Sequence, residues 1–255
     1  APWTDAYLNL AKCLELALND GCDLRTGERL GPPTGSPLGF GGFDDLFAAY
    51  EAQVEAALRE MLEAKDDYDS RLSGHAPEPL NSAFIRSCLE RGQDAAGGGA
   101  RYLLTGVYGV GLGTTADSLA ALAELVYTRG QVRLEDLLAA LRADFAGCEP
   151  LRQLCLHRAP KYGNDDERAD RIAARIIEGF GRQVRRYSDS AWQARQAREP
   201  GACRRAYHYA MFGSVLHHTG MGALTAATPN GRRAGEMLSD GGSPSQGCNR
   251  RGATA

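Results

Sequence analysis

Helical periodicity recurs along almost the whole of this 255-residue chain, yet only two segments read as strands. That imbalance constrains the fold more than any other feature. Tyr7, Leu8, Leu10, Ala11, Leu14 and Leu18 fall at helical spacing and predict a helix over 4–19, stopped by Gly21. A clearer helix is expected from Phe43 to Lys65. There Leu46, Tyr50, Val54, Ala57, Leu58, Met61 and Leu62 make one stripe, and Asp44 and Asp45 sit near the positive N-terminal end. Further helices are expected at Leu80 to Glu90, 115–127, 133–145, 149–158 and 165–187. The strand candidates are Arg101 to Leu112 and Tyr207 to Val215, and residues 220–255 read mostly as loop. Helices alternating with a few strands indicate an α/β class. Two strands cannot make a sheet that covers so many amphipathic helices, so the chain is expected to be a piece of a larger sheet or barrel. Its start at Ala1, with no initiator Met, raises the same expectation.

Composition excludes several classes of function. The apolar fraction is 43% and the charged fraction 24%, which suffices for a buried core. Net charge is only −3, so no basic field points to nucleic acid. No apolar run is long enough to span a membrane, and a cytoplasmic location is expected. Seven cysteines are scattered without a C-x-x-C pair, which argues against zinc or iron–sulfur ligation and for free thiols in a reducing compartment. The 31 glycines cluster in short loops, where positive φ or close backbone approach is expected.

Local spacing offers only weak sites. Gly109, Gly111 and Gly113 form a strand–loop–helix turn that completes neither nucleotide-loop pattern. His217 and His218 are adjacent, so in an extended segment they point to opposite sides and cannot chelate one metal together. Asp165 and Asp166 precede a helix, where N-capping accounts for them. Arg232 and Arg233 suit an anion or a structural salt bridge. Ser82, Ser118 and Ser214 lack a G-x-S-x-G context.

Eight stretches in order carry more information than any of these. They are N-L-A-K-x-L-E-L-A-L-N-D-G (Asn9 to Gly21), T-G-E-R-L-G-P-P-T-G (Thr26 to Gly35) and P-L-N-S-A-F-I-R-S-C-L-E-R-G-Q-D (Pro79 to Asp94). Then come G-G-A-R-Y (Gly98 to Tyr102), G-V-G-L-G-T-T-A-D-S-L-A-A (Gly109 to Ala121) and A-P-K-Y-G-N-D-D (Ala159 to Asp166). A-T-P-N-G-R-R-A-G (Ala227 to Gly235) and the loop Ser239 to Asn249 close the series. Together they resemble the glycyl radical enzymes, the pyruvate formate-lyase and glycerol dehydratase family, along the whole chain.

The resemblance implies a fragment, residues 1–255, of that family's ten-stranded α/β barrel, helix-rich and incomplete. It implies radical cleavage of a C–O, C–N, C–S or C–C bond of a small substrate by a thiyl radical, in an anaerobe. No diffusible cofactor or metal is implied. The radical is a protein glycyl radical, installed by a separate S-adenosylmethionine-dependent activating enzyme, and relatives are mostly homodimers. The family's G-C-x-E cysteine loop is expected upstream of Ala1 and its R-V-x-G-Y-like glycine loop downstream of Ala255, since neither pattern occurs here. Gly21-Cys22-Asp23 falls at the end of the N-L-A-K helix and is not assigned as the thiyl site, and Cys248 is read as structural. The implied substrate-binding residues are Trp3, Thr4 and Tyr7, with Phe212, Ser214, Val215 and His217; buried packing accounts for each equally well. G-G-A-R-Y favours the dehydratase and decarboxylase side over pyruvate formate-lyase-type acetyltransferases. Arylacetate decarboxylases and a non-catalytic barrel shell remain alternatives. Leu216 to Thr225 and the closing G-A-T-A depart from the family pattern, which leaves the substrate open.

Overall fold

A computed structural model describes residues 5–198 and 206–252, without the side chains of residues 72–74, 103 and 206. In chain order the elements are β1 (Ala6–Asn9), α1 (Leu10–Ala17), α2 (Phe43–His75), α3 (Pro79–Ala83), α4 (Arg86–Arg91), β2 (Leu103–Val110) and α5 (Leu112–Ala121). A π-helical turn over Leu122–Thr128 follows. Then come α6 (Leu134–Arg142), α7 (Glu149–His157), α8 (Glu167–Arg198), β3 (Ala206–Phe212) and α9 (His217–Ala223). The three strands form a small parallel sheet in the order β1-β2-β3.

The first predicted helix is thereby divided. Tyr7 and Leu8 belong to a strand, and the helix starts only after Asn9, whose side chain accepts from Lys12 N at 3.0 Å. That capping bond satisfies one of the amide donors left open at a helix start, and so fixes where the strand ends. The helix expected at Leu80 to Glu90 is also two helices, broken between Ala83 and Arg86.

By its contacts the chain divides into two compact units. One comprises residues up to Leu8, Leu58–Tyr108 and Gly181–Met211; the other comprises Asn9–Ala57, Gly109–Phe180 and Phe212 onward. In the second unit the predicted stripe of α2 is buried, with Leu46, Tyr50 and Val54 joined by Phe47. Here α1 packs against α5, and Leu10, Leu14, Leu112, Leu119 and Phe180 are almost fully enclosed.

In the first unit the strands alternate as the pleat requires. Ala6 and Leu8 on β1, Thr105 and Val107 on β2, and His208 on β3 are buried. The other face is open: Leu104 is 56% exposed, Tyr207 45%, Tyr209 41% and Met211 38%, with Tyr7 and Tyr108 half-buried. Under the covered face, His208 Nε2 lies 3.2 Å from Asp66 Oδ1, and the Tyr187 hydroxyl donates to Asp66 Oδ2 at 2.9 Å. The Tyr187 ring meets His208 edge-on at 5.2 Å.

Candidate active site

The long-range polar contacts of the second unit tie together motifs that lie far apart in sequence. Asp117 on α5 is fully buried; it accepts from Tyr162 N at 2.7 Å and from Ser245 Oγ at 2.6 Å. Lys161 Nζ donates to the carbonyls of Cys155 and Asn230 at 2.9 and 3.2 Å. Asn164 Nδ2 donates to the Cys248 carbonyl at 2.9 Å. Burial drives both ionisable groups toward neutrality. It raises the Asp117 carboxyl to about 6 and lowers Lys161 from its usual range. Every one of these groups has a partner inside the protein, so the knot is a structural anchor.

The glycine turn before α5 is closed in the same way. A Cβ at Gly113 would stand 2.5 Å from the Ser243 carbonyl oxygen, and Thr114 N donates to Ser239 Oγ at 3.0 Å. The protein's own loop occupies the place where a phosphate would sit. Arg232 is buried too, its guanidinium donating to the carbonyls of Thr225 and Ala226 at 3.1 Å each and to that of Arg233. Burial lowers Arg232 to about 10. Arg233 instead pairs with Glu149 at 3.1 Å, the structural salt bridge anticipated for this pair. Asp166 caps α8 through Arg168 N, as expected, while Asp165 takes a positive φ beside it.

The loop after β3 brings Ser214, His218 and Asp240 together. Ser214 Oγ lies 2.8 Å from His218 Nδ1 and accepts from His218 N at 3.0 Å, and Asp240 Oδ1 is 3.6 Å from the same Nδ1. A serine–histidine–aspartate relay needs the serine on one ring nitrogen and the carboxylate on the other. Both groups converge on Nδ1 here, so the cluster stabilises the start of α9 and is no hydrolytic triad. The two histidines expected in an extended segment are in the first turn of this helix. Among the described residues no group of three metal-ligating side chains occurs. Burial also pushes Cys13 and Cys155 up to about 12 and 11, the opposite of an activated thiol.

Trp3 and Thr4, two of the expected substrate-binding residues, lie outside the described residues. Phe212 packs on Phe180 with ring centroids 5.5 Å apart. Ser214 and His217 are half-buried, and Val215 is 74% exposed at the turn. Predicted as the end of a strand, Ser214 and Val215 instead lie past it, and Leu216 takes a positive φ just before α9.

Tyr7 stands on the open sheet face of the first unit, stacked on Tyr108 at 4.9 Å and 15°. Burial and then the nearby Asp5 raise the Tyr7 phenol, and Tyr108 is raised by burial, Asp5, Tyr209 and Tyr7 in that order. Gly106, between the ends of β2, lies directly under side chains of this group. A Cβ there would stand 2.7 Å from Asp5 Oδ1 and 2.7 Å from Tyr108 Cε2. The sequence reading missed Asp5, Tyr108 and Tyr209. Their only signal was the alternation Leu104, Gly106, Tyr108 and Tyr207, Tyr209, Met211, which needs the strand pairing before it means anything.

The family described as Pyruvate formate lyase-like matches residues 1–199. The trans-4-hydroxy-L-proline dehydratase of Clostridioides difficile is 34% identical over 98% of this chain and 30% of its own length. The isethionate sulfite-lyase of Oleidesulfovibrio alaskensis is likewise 34% identical over 98% of the chain and 29% of its own. The solved glycerol-bound B12-independent glycerol dehydratase of Clostridium butyricum superposes with a TM-score of 0.87 at 30% identity, covering 99% of this chain and 30% of that one. The chain therefore spans about 30% of the length of the relatives it matches, and it resembles a fragment of their barrel. It belongs to the pyruvate formate lyase-like family of glycyl radical enzymes.

Proposed function

We propose that this chain is part of a glycyl radical lyase that cleaves a C–O, C–N, C–S or C–C bond in a small substrate. The observation that carries the reading is similarity to dehydratases and a sulfite-lyase across 98–99% of the chain, in sequence and in structure. A protein glycyl radical, relayed through a cysteine thiyl, supplies hydrogen-atom abstraction from the substrate. The G-C-x-E and R-V-x-G-Y-like patterns do not occur in this sequence, so we place both radical positions in other parts of the protein. The described cysteines suit this reading, because burial keeps Cys13 and Cys155 as thiols.

This chain's contribution is shape and enclosure. We assign substrate contacts to Tyr7 in the first unit and, separately, to the segment Phe212, Ser214, Val215 and His217 in the second. The knot around Asp117 holds the loops behind that segment, so the reacting atoms are positioned and water is excluded. An S-adenosylmethionine-dependent activating enzyme installs the radical, and the working protein is a homodimer. The test is anaerobic activation of the full-length protein, followed by electron paramagnetic resonance. A glycyl radical signal that persists while added substrate is turned over to product is expected. Its absence after complete activation would leave a catalytically silent barrel shell.

A further inference from the structure

Within the second unit, the start of α1 and the end of α9 meet at one side chain, Asn9. Its Oδ1 accepts from Lys12 N at 3.0 Å and caps α1. Its Nδ2 donates to the Met221 carbonyl at 3.2 Å and to Thr225 Oγ1 at 2.9 Å, 212 and 216 residues further along the chain. Thr225 is fully buried and donates its own hydroxyl to the same Met221 carbonyl at 2.7 Å. Serine or aspartate would cap α1 about as well as asparagine. Capping alone therefore does not call for an amide at this position. What asparagine adds is a pair of donors, and both are directed at the end of α9.

The other end of α9 carries the substrate-side segment. His217 opens the helix, and Ser214 Oγ accepts from His218 N at 3.0 Å and lies 2.8 Å from His218 Nδ1. A helix of seven residues does not hold its place by its own hydrogen bonds, so its surroundings set its position. Leu238 N donates to the His218 carbonyl at 3.1 Å, and Arg25 donates to the Ala223 carbonyl. A Cβ at Gly222 would stand 2.3 Å from the Glu236 carbonyl oxygen, so that strand of backbone lies hard against the helix. The Asn9 amide joins α9 to α1, whose residues are all buried except Lys12.

We propose that Asn9 is a positioning residue for the reaction: through Met221 and Thr225 its amide fixes α9, and with it Ser214 and His217, on the frame of α1. This rests on the substrate contacts assigned above to Ser214 and His217. Without the two donors α9 keeps its turns but gains freedom to slide. The groups at its start then lose register with the reacting atoms, where a misplacement of about 1 Å costs up to about 100-fold in rate.

Asn9→Asp isolates the donors, because a carboxylate still accepts from Lys12 N but cannot donate to Met221 or Thr225. The parent keeps the same charged neighbours, Lys12, Glu15, Asp23 and Arg25 around α1 and His217, His218 and Asp240 around α9. Comparison with the parent at equal pH therefore cancels their titration.

The test is hydrogen–deuterium exchange of the full-length protein, without activation, read by mass spectrometry on peptides from α1 and from residues 217–225. At pH 7 Asn9→Asp is expected to speed exchange over 217–225 about tenfold relative to the parent and to leave α1 unchanged. Asn9→Ala, which also loses the cap, is expected to speed both. Thr225→Val should speed 217–225 as well and add little on top of Asn9→Asp, and it carries the test if the Asn9 variants fail to fold. As pH falls toward about 4, the carboxyl of Asn9→Asp takes up a proton and donates again, so its excess over the parent is expected to shrink. A role in capping alone predicts the opposite trend, since the ionised carboxylate is the better partner for a helix start. Exchange over 217–225 that matches the parent at pH 7, or an excess indifferent to pH, overturns the proposal. No radical enters the measurement, so the two readings fail separately. A glycyl radical signal without the exchange difference sinks only the role of Asn9, and the difference without a radical sinks only the lyase.

Discussion

Asp117 makes the energetic cost of a buried carboxyl measurable. Burial lifts it from its ordinary value of 3.8 to about 6, against the opposing pull of Lys161 and the two donors Ser245 Oγ and Tyr162 N. A carboxyl with a raised folded-state value holds its proton more tightly folded than unfolded. Its contribution to stability is fully present below about pH 4 and is lost as pH rises through about 6. Asp117→Asn should therefore gain on the parent across that window, by on the order of 2 kcal/mol between pH 4 and 7. Denaturant midpoints at four pH values in the full-length protein would show it. A difference that stays constant with pH would mean that folding leaves the titration of the carboxyl unchanged.

At the scale of elements, the N-terminus of α5 is where the packing is least forgiving. A methyl group at Gly113 would run into the Ser243 carbonyl at 2.5 Å and the backbone of Pro244 and Ser245 at 3.1 Å. None of these atoms is the end of a flexible side chain. Gly113→Ala is expected to destabilise the protein by about 2 kcal/mol or more, read from the thermal or denaturant midpoint. Gly130→Ala, with no atom within 4 Å of the added Cβ, should cost less and act only through its φ of +58°. Much of the element order was legible because the apolar stripes of α2, α6 and α8 are long and regular. The extra length of α2 and α8 was not, since their distal turns lack a stripe. The end of α2 runs on through i,i+4 ion pairs such as Arg71–Asp67, on an exposed face. β1 escaped notice because four strand residues continue in phase with the helix behind them; only Asn9 marks the junction. α9 was hidden by Gly220 and Gly222, which break helical pattern in sequence. The candidate site divides along the same line. Tyr7 was reachable through the motif that follows it, whereas Asp5, Tyr108 and Tyr209 become neighbours only once three strands align.

The whole molecule carries a three-stranded sheet whose one face is open, and its sequence corresponds to about 30% of its relatives' length. Leu80, Phe84 and Leu89 add exposed apolar surface at 74%, 83% and 65%. Exposed patches of this kind, together with free strand edges, invite association. A polypeptide limited to these 255 residues is accordingly expected to bind a hydrophobic dye and to lack a sharp two-state melt. A cooperative monomeric transition without dye binding would show that the sheet needs no further cover. The bond between Thr114 and Ser239 has one further consequence, in time. Its partners are 125 residues apart, so at about 5–20 residues per second the ribosome needs roughly 6–25 s after making the first to deliver the second. Throughout that interval the α5 N-terminus has no chain to seal it, and the nascent protein depends on whatever else in the cell keeps that end from the wrong partner.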